Sequence, residues 1–598
     1  MTLAQNLPPQ RTLDGHSFNA DLSKGPYYFD GCDTLAKLFV QRCGELGEKV
    51  AHREKDYGIW LAYGWSDFYE HARLIGLGLL SLGLQRGDVV SILSEDSKEW
   101  IYTDLGVQCV GGIASGVYTT DSAGQLVYLV NDSQSRFLFV ENDEQLDKYL
   151  SAAGEMSGLE KVIVYDRDGL HGFSHERVMF LDELYAAGRA FLKDAPARFE
   201  EEVARSKPGD TAILVYTSGT TGQPKGAMIS HENIITSIIG AAQTLPVGPD
   251  DEQVCFLPLC HILERLITVF IPIGMAATVN LAESPETVFD DVREVSPHVF
   301  TAVPRVWEKV YSRISIMAGE ATAFGRWAYR MAVELGMKRA AALEAGEPVP
   351  LGVRLMHPLF DFMVLRNLRR MLGFDRLRRG TSGAAPISPD LLRWFRAIGV
   401  PILEGYGMTE SAGVISVNLL EDYRTGSIGK AVPGGAVRIA DDGEIQFRGP
   451  NVFTGYWRMP DKTKAEFRPD GFFITGDLGK IDERGYVHIV GRAKDLIITG
   501  GFNVYPKEVE SEIDALPGVV ESAVIGCPHP DFGEGVTAVV VLKKDAKPDE
   551  KAIIANLESR LAKFKLPKRV LFVDELPRNT MGKVQKNVLR EQNAKLYS

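Results

Sequence analysis

The chain has 598 residues, 45% of them apolar, about four times the usual single-domain length, so several packed units with extensive burial are expected and a small stapled scaffold is excluded. Sixty-six Lys and Arg against 79 Asp and Glu leave a formal net charge of −13, an acidic surface that repels a polyanion, so no nucleic-acid partner is expected. The six cysteines, Cys32, Cys43, Cys109, Cys255, Cys260 and Cys527, are scattered, which suits reduced thiols in a cytosol better than a disulfide framework.

The first twenty residues hold neither an apolar core nor a basic cluster, so no secretory or transit signal is legible and a cytoplasmic location is expected. From Val89 short apolar runs (VVSIL, then RFLFVE and KVIVYD) alternate with helical stretches, the pattern of parallel strands under covering helices: an α/β architecture. Around Cys255, Cys260 and His261 the segment reads as apolar strand, and the apolar run 267–279, interrupted by Pro272 and Gly274, reads as buried core, being short of the roughly twenty residues a membrane span needs. Residues 305–380 read as helical, with Arg354, Arg366, Arg369, Arg370, Arg376, Arg378 and Arg379 set among Leu, Phe and Met. That face suits either plain solvation or a peripheral contact with the inner face of a membrane. Hairpins are predicted at Asp442-Gly443 and Gly485, forming a barrel or small sheet that closes the large domain. A compact α+β unit follows, with strands at 521–526, 537–542 and 569–573 and a helix near 549–562. The expected domains are 1–493 and 494–598.

The most informative segment is TAILVYTSGTTGQPKGAM (211–228). An apolar strand runs into Thr217, Ser218, Gly219, Thr220, Thr221, Gly222 and, three residues on, Lys225: hydroxyls, open backbone amides and one cation, which is what phosphate oxygens need. It is not a Walker A loop, because Pro224 precedes the lysine and Gly226 follows it. In GTSGAAP (380–386), Gly383, Ala384 and Ala385 leave room for a flat ring against backbone, and in LEGYGMTE (403–410), Thr409 and Glu410 offer oxygens to a hard cation. Asp477 in FFITGDLG suits a diol, and Lys583 sits in the Gly-containing segment PRNTMGKVQK.

These strings, in this order and over nearly the whole chain, resemble the motifs of the adenylate-forming enzymes: acyl-CoA synthetases, luciferases and peptide-synthetase adenylation domains. The resemblance implies a large domain of stacked mixed β-sheets with covering helices and a small barrel, followed by a mobile α+β domain. It implies ATP, Mg²⁺ and CoA, with the adenine on Gly383–Ala385, Tyr406 against nucleotide and acyl group, Asp477 and Arg492 on the ribose, Glu410 and Thr217 at the metal, and Lys225 and Lys583 as catalytic cations. By the same resemblance Lys494 is a hinge, the Gly500-Gly501 face meets the thiol, and His261 and Gly405 line the acyl pocket. The partners implied are a small carboxylic acid, ATP and CoA, with a homodimer left open.

FLPLCHILER (256–265) and VPRVWEKVY (303–311) look like long-chain fatty acyl-CoA synthetases, whereas the sequence from Arg448 onward is similar to malonyl-CoA synthetases. Since the large domain builds the acyl pocket, a medium- or long-chain fatty acid is the first expectation. A second carboxylate would need a buried cation, yet Gly405 precedes YGMTE; Arg265 and Arg305 remain candidates for that cation. The alternatives are a malonyl- or aryl-CoA synthetase and a nucleotide-binding carrier without turnover.

Overall fold

A computed structural model describes residues 10–217, 223–245, 247–543, 546–547, 549–579 and 582–597. The chain packs as two compact units. The first comprises residues 1–436 and 448–466, the second 437–447 and 467–598.

Three sheets organise the first unit. The largest has eight strands in the order Gly455–Tyr456, Lys225–Ser230, Thr211–Thr217, Ile113–Val117, Val89–Leu93, Ser135–Val140, Lys161–Val164 and Val178–Phe180. From Thr211–Thr217 across to Val178–Phe180 the pairs are parallel, and Val89–Leu93 and Ile113–Val117 are buried at every position. That is why they read as continuous apolar runs and not as alternations. A four-stranded sheet joins Glu252–Cys255, Thr278–Leu281, Val50–Asp56 and Ile59–Gly64, and a five-stranded one joins Val299–Ala302, Arg379–Ser382, Ile402–Tyr406, Ser416–Val417 and Lys430–Ala431.

The expected strand around 255–261 is corrected: it ends at Cys255, and the chain turns through Pro258, whose carbonyl accepts from His261 N–H. The run from 267 is buried as expected, but it is helical through Met275 before Thr278–Leu281 begins. Pro272 lies inside this continuous helix, directly after the π-helical turn Leu266–Phe270, a wider turn that accompanies the backbone donor the proline lacks.

Helices Pro304–Glu320, Ala323–Ala345 and Leu351–Phe360, the last continuing to Leu372, are inserted between the strands Val299–Ala302 and Arg379–Ser382. An aromatic cluster anchors them to that sheet: Trp307 packs edge-on to Phe300 and Phe395 at centroid distances of 5.4 and 5.2 Å. A Cβ on Gly380 would lie 2.9 Å from the Trp307 ring, so this motif glycine serves packing.

The second unit holds an antiparallel sheet, Ala436–Ile439, Glu444–Arg448, Phe473–Ile481 and Val487–Arg492, with turns at the two predicted hairpins. It also holds a sheet in which Gly533–Leu542 is flanked by Val519–His529 and Arg569–Val573. Helices Pro506–Asp514 and Glu550–Leu557 bury Val509, Ile513, Ile553 and Leu557 against it.

Candidate functional site

In the first unit the strands Thr211–Thr217 and Lys225–Ser230 pair antiparallel, with Thr217 opposite Lys225. The hairpin therefore delivers both residues to the base of the hydroxyl-rich loop; Ser218, Gly219, Thr220, Thr221 and Gly222 lie outside the described residues. Lys225 Nζ sits 4.6 Å over the Tyr456 ring and 3.4 Å from Glu466 Oε1. Tyr456 donates its hydroxyl to Glu410 Oε1 at 2.7 Å. The segment bearing Tyr456 is fixed because Gly455 and Tyr456 pair with Met228 and Ala227, and Phe453 N–H bonds the Glu410 carbonyl. Glu410 is buried; burial pushes its carboxyl above the usual range, and the hydrogen bond from Tyr456 and the charge of Lys225 oppose that rise. Tyr456 and Glu466 are members of this cluster that sequence reasoning missed. The aromatic-and-glycine run VFTGYW was the signal at hand, but its pairing with Ala227 and Met228 is a long-range event.

Thr409 and Glu410 lie in a tight turn, Thr409–Ser411, held by Met408 N–H to Ser411 Oγ at 3.1 Å. Gly407 admits no side chain, since its Cβ would sit 2.1 Å from the Gly413 carbonyl oxygen. Mg²⁺ fits this donor set: a carboxylate engaged on one oxygen by a tyrosine keeps further lone pairs, and Mg²⁺ asks few ligands of the protein when phosphates supply the others. No group of three or more His, Cys, Asp or Glu arranged to hold a metal occurs among the described residues, Cys255, Cys260 and His261 included.

The residues that the sequence assigns to the adenine and the acyl group also converge. Strands Arg379–Ser382 and Ile402–Tyr406 run parallel with Ser382 opposite Glu404, so Gly383 and Gly405 are neighbours: a Cβ on Gly383 would be 3.6 Å from the Gly405 carbonyl oxygen and 3.9 Å from Leu263. Ala384 holds a left-handed φ of 66°, a sparsely populated conformation for a residue with a side chain. A Cβ on Gly405 would meet nothing closer than Ser416 O at 3.8 Å, so space is open there. Tyr406 closes this strand and its carbonyl accepts from Ile415 N–H at 2.7 Å. His261 caps the short helix Ile262–Arg265, its Nδ1 accepting from Leu263 N–H at 3.1 Å. Arg265 is fully buried and its Nε donates to Asp104 Oδ2 at 3.0 Å. Arg305 faces out beside Glu308 at 3.5 Å. Arg265 is thereby closed to a second substrate carboxylate.

In the second unit the strand register sets Asp477 opposite Arg492, whose Nε lies 3.1 Å from Oδ1 of the buried Asp477. At Lys583, Asn579 Oδ1 accepts from the backbone N–H at 2.9 Å, and Arg578 pairs with Val584. The Lys583 ammonium lies within electrostatic reach of Asp477 and Arg492. Burial pushes it down to about 8, with Arg492 and Lys494 repelling it while Asp477 and Asp495 favour its charge. Burial also lowers Lys494, chiefly, with Arg492 adding to the effect. Gly500 and Gly501, at φ 57° and 84°, form the turn between Ile497–Thr499 and Phe502–Val504; two successive left-handed residues are what such a two-residue turn requires.

A hydroxyl- and glycine-rich hairpin with its lysine, a buried carboxylate beside it, and a lysine gathered with an Asp–Arg pair define the nucleotide-dependent, adenylate-forming class of enzyme. The chain belongs to the AMP-binding enzyme family: residues 39–457 match the family's main domain and residues 508–583 its C-terminal domain. It is 34% identical over 515 residues to the long-chain-fatty-acid–CoA ligase FadD15 of Mycobacterium bovis, covering 86% of this chain and 83% of that one. To the long-chain-fatty-acid–CoA ligase ACSBG2 of Xenopus laevis it is 32% identical, covering 82% and 67%. Among solved structures, ATP-bound MatB from Rhodopseudomonas palustris superimposes with a TM-score of 0.74 at 34% identity, covering 94% of this chain and 100% of that one. No helix among the described residues is long and apolar enough to cross a membrane.

Proposed function

We propose that the protein is an ATP-dependent acyl-CoA ligase for medium- or long-chain fatty acids. The observation that carries this reading is the Arg265–Asp104 pair beside the open space at Gly405 in the sequence-assigned acyl region: Arg265, a candidate partner for a second carboxylate, is fully buried and already neutralised by Asp104, which favours an apolar tail over a second acid group. The names of the curated relatives agree with it.

In the first step the fatty acid carboxylate attacks the α-phosphorus of ATP; an oxygen–phosphorus bond forms and pyrophosphate leaves. Thr217, Lys225 and the loop from Ser218 to Gly222 would hold the triphosphate, Ala384 and its neighbours Gly383 and Ala385 the adenine, Tyr406 its inner edge, and Asp477 with Arg492 the ribose. Glu410 and Thr217 would hold Mg²⁺ with Thr409 alongside, and the ion when bound offsets phosphate charge. Lys583 supplies a cation where negative charge grows on the α-phosphate. In the second step the CoA thiol, its proton lost, attacks the acyl carbon, a thioester forms and AMP leaves. Presenting the Gly500-Gly501 face for this step would require rotation at Lys494, which makes 1–493 and 494–598 the moving bodies. His261 lies along the acyl pocket in this reading. The location proposed is the cytoplasm.

The test is pyrophosphate release and thioester formation across a matrix of acids and thiols. Fatty acids of medium or long chain with CoA should give both products. Turnover restricted to malonate or aryl acids would overturn the substrate reading, and ATP binding without pyrophosphate release from any acid would replace it with a carrier role.

A further inference from the structure

Exposed apolar side chains are concentrated in one part of the molecule: of 22 large hydrophobics exposed among the described residues, 13 fall between Tyr311 and Met371. The helix from Leu351 to Leu372 is apolar on two faces. Inward, Val353, Phe360 and Leu365 join the core around Trp307. Outward, Leu351, Leu355, Leu359 and Phe362, at three- and four-residue steps on one stripe, are 72, 70, 50 and 65% exposed. The ridge extends onto the neighbouring helix, where Phe324 is 74% exposed and Trp327 reaches back to Phe360 at 6.0 Å. A solvated helix has no use for such a stripe.

The charges flanking it are of one sign. Residues 304–379 carry fourteen Lys and Arg against seven Asp and Glu, a surplus of seven positive charges in a chain of −13. Arg354, Arg366 and Arg370 share the outer face, Arg366 standing 5.9 Å from the Phe362 ring. Asp361, the one carboxylate between 351 and 372, is occupied by Arg369 at 2.8 and 3.1 Å. Among the described residues no ion pair engages Arg354, Arg366 or Arg370. A second copy docked by two-fold symmetry would set this cationic face against itself, whereas lipid phosphates meet the arginines while acyl chains receive the leucines.

We propose that the outer face of the helix Leu351–Leu372, with Phe324 and Trp327, is a docking surface for an anionic lipid bilayer, with the apolar stripe in the headgroup–acyl boundary and the arginines on the phosphates. The surface is independent of the ligase reading, since vesicle binding is measured without turnover.

The test is flotation of the full chain with vesicles of phosphatidylcholine, with and without phosphatidylglycerol. The protein should float with the anionic vesicles. The Leu355→Glu/Phe362→Glu variant should bind at least about tenfold more weakly. The Arg354→Gln/Arg366→Gln/Arg370→Gln variant should lose on the order of a hundredfold, with its preference for anionic lipid. Brominated acyl chains should quench tryptophan emission in the parent and less in Trp327→Phe. All these side chains are solvent-facing, and unchanged thermal melting verifies that the variants fold. Absence of binding, binding indifferent to these substitutions, or a dimer that they dissociate would overturn the proposal.

Discussion

Tyr456 donates its hydroxyl to the buried Glu410 carboxylate at 2.7 Å while Lys225 stands 4.6 Å over the same tyrosine ring. Tyrosine thus joins the loop lysine to the candidate metal-binding carboxylate. Burial raises Glu410 above its ordinary range and the tyrosine opposes that rise, so removing the hydroxyl lets the carboxyl climb further and shrinks its ionised fraction near neutrality. Tyr456→Phe is expected to move the acid limb of the pyrophosphate-release profile upward by about 1 pH unit and to raise the Mg²⁺ concentration needed for half-maximal rate. A pH profile of kcat/KM at fixed Mg²⁺ measures this; an unmoved limb removes Glu410 ionisation from the reaction.

Lys583 lies at about 8 against an ordinary 10.5, so the folded state disfavours its charge. Below about pH 8 the lysine is protonated both folded and unfolded and the full cost is present; between 8 and 10.5 the folded state sheds its proton first and the cost fades as pH rises. Lys583→Met should therefore raise the melting temperature at neutral pH, and the gain should shrink toward pH 10.5. Bound ATP, whose phosphates favour the ammonium, should reverse the gain. The same loss of charge should cut adenylation by on the order of a hundredfold or more with a far smaller effect on ATP affinity. Melting curves at several pH values, with and without nucleotide, alongside single-turnover rates, read both expectations.

The legibility of these parts follows from how far apart their determinants lie. Val89–Leu93 was readable because a strand buried on both faces must be apolar throughout, and the turn at Asp442-Gly443 because its chemistry is local. Lys583, Asp477 and Glu410 stood out through their motifs. Their physical settings did not: the Tyr456–Glu410 bond spans 46 positions and follows from strand pairing, and the Arg265–Asp104 pair spans 161 and follows from the packing of two helices. Arg265 illustrates the cost of reading charge without fold, since in sequence it is an available cation and in the structure it is spent. The strand expected through Cys260 failed because local apolarity was read without giving Pro258 its weight as a turn former.

Arg265 and Asp104 are both fully buried, and the guanidinium stacks 4.9 Å over Trp100. Gln108 adds a hydrogen bond to Asp104 at 2.7 Å. Removing one partner strands the other as an uncompensated charge, so Asp104→Ala should destabilise the protein by about 3 to 5 kcal/mol. Replacing both, as in Asp104→Leu/Arg265→Met, should cost much less than the single change, because the desolvation cost disappears with the pair. Urea denaturation of the two variants decides this; equal losses would mean that packing against Trp100, and not charge, holds the site.

Gly405 offers the most direct control of substrate choice. A Cβ there finds only ordinary contacts, Ser416 O at 3.8 Å and Val417 at 3.9 Å, so a longer side chain can start from this position without displacing backbone. An arginine would extend from the strand Ile402–Tyr406, beside Gly383, into the space assigned to the acyl chain. It would occupy volume and place a desolvated cation where an apolar tail must lie, a cost of several kcal/mol unless an anion neutralises it. A dicarboxylic acid brings that anion. Gly405→Arg is therefore expected to lower kcat/KM for long-chain acids by on the order of a hundredfold or more and to raise that for malonate above the parent, through KM more than kcat, because the new charge contacts the remote end of the substrate and not the reacting carboxylate. Gly405→Met, filling the same space without charge, should shorten the preferred chain and leave malonate inert. If Gly405→Arg retained its long-chain rate, the tail would have to run elsewhere than past Gly405, and the pocket would have to be sought on another side of Gly383.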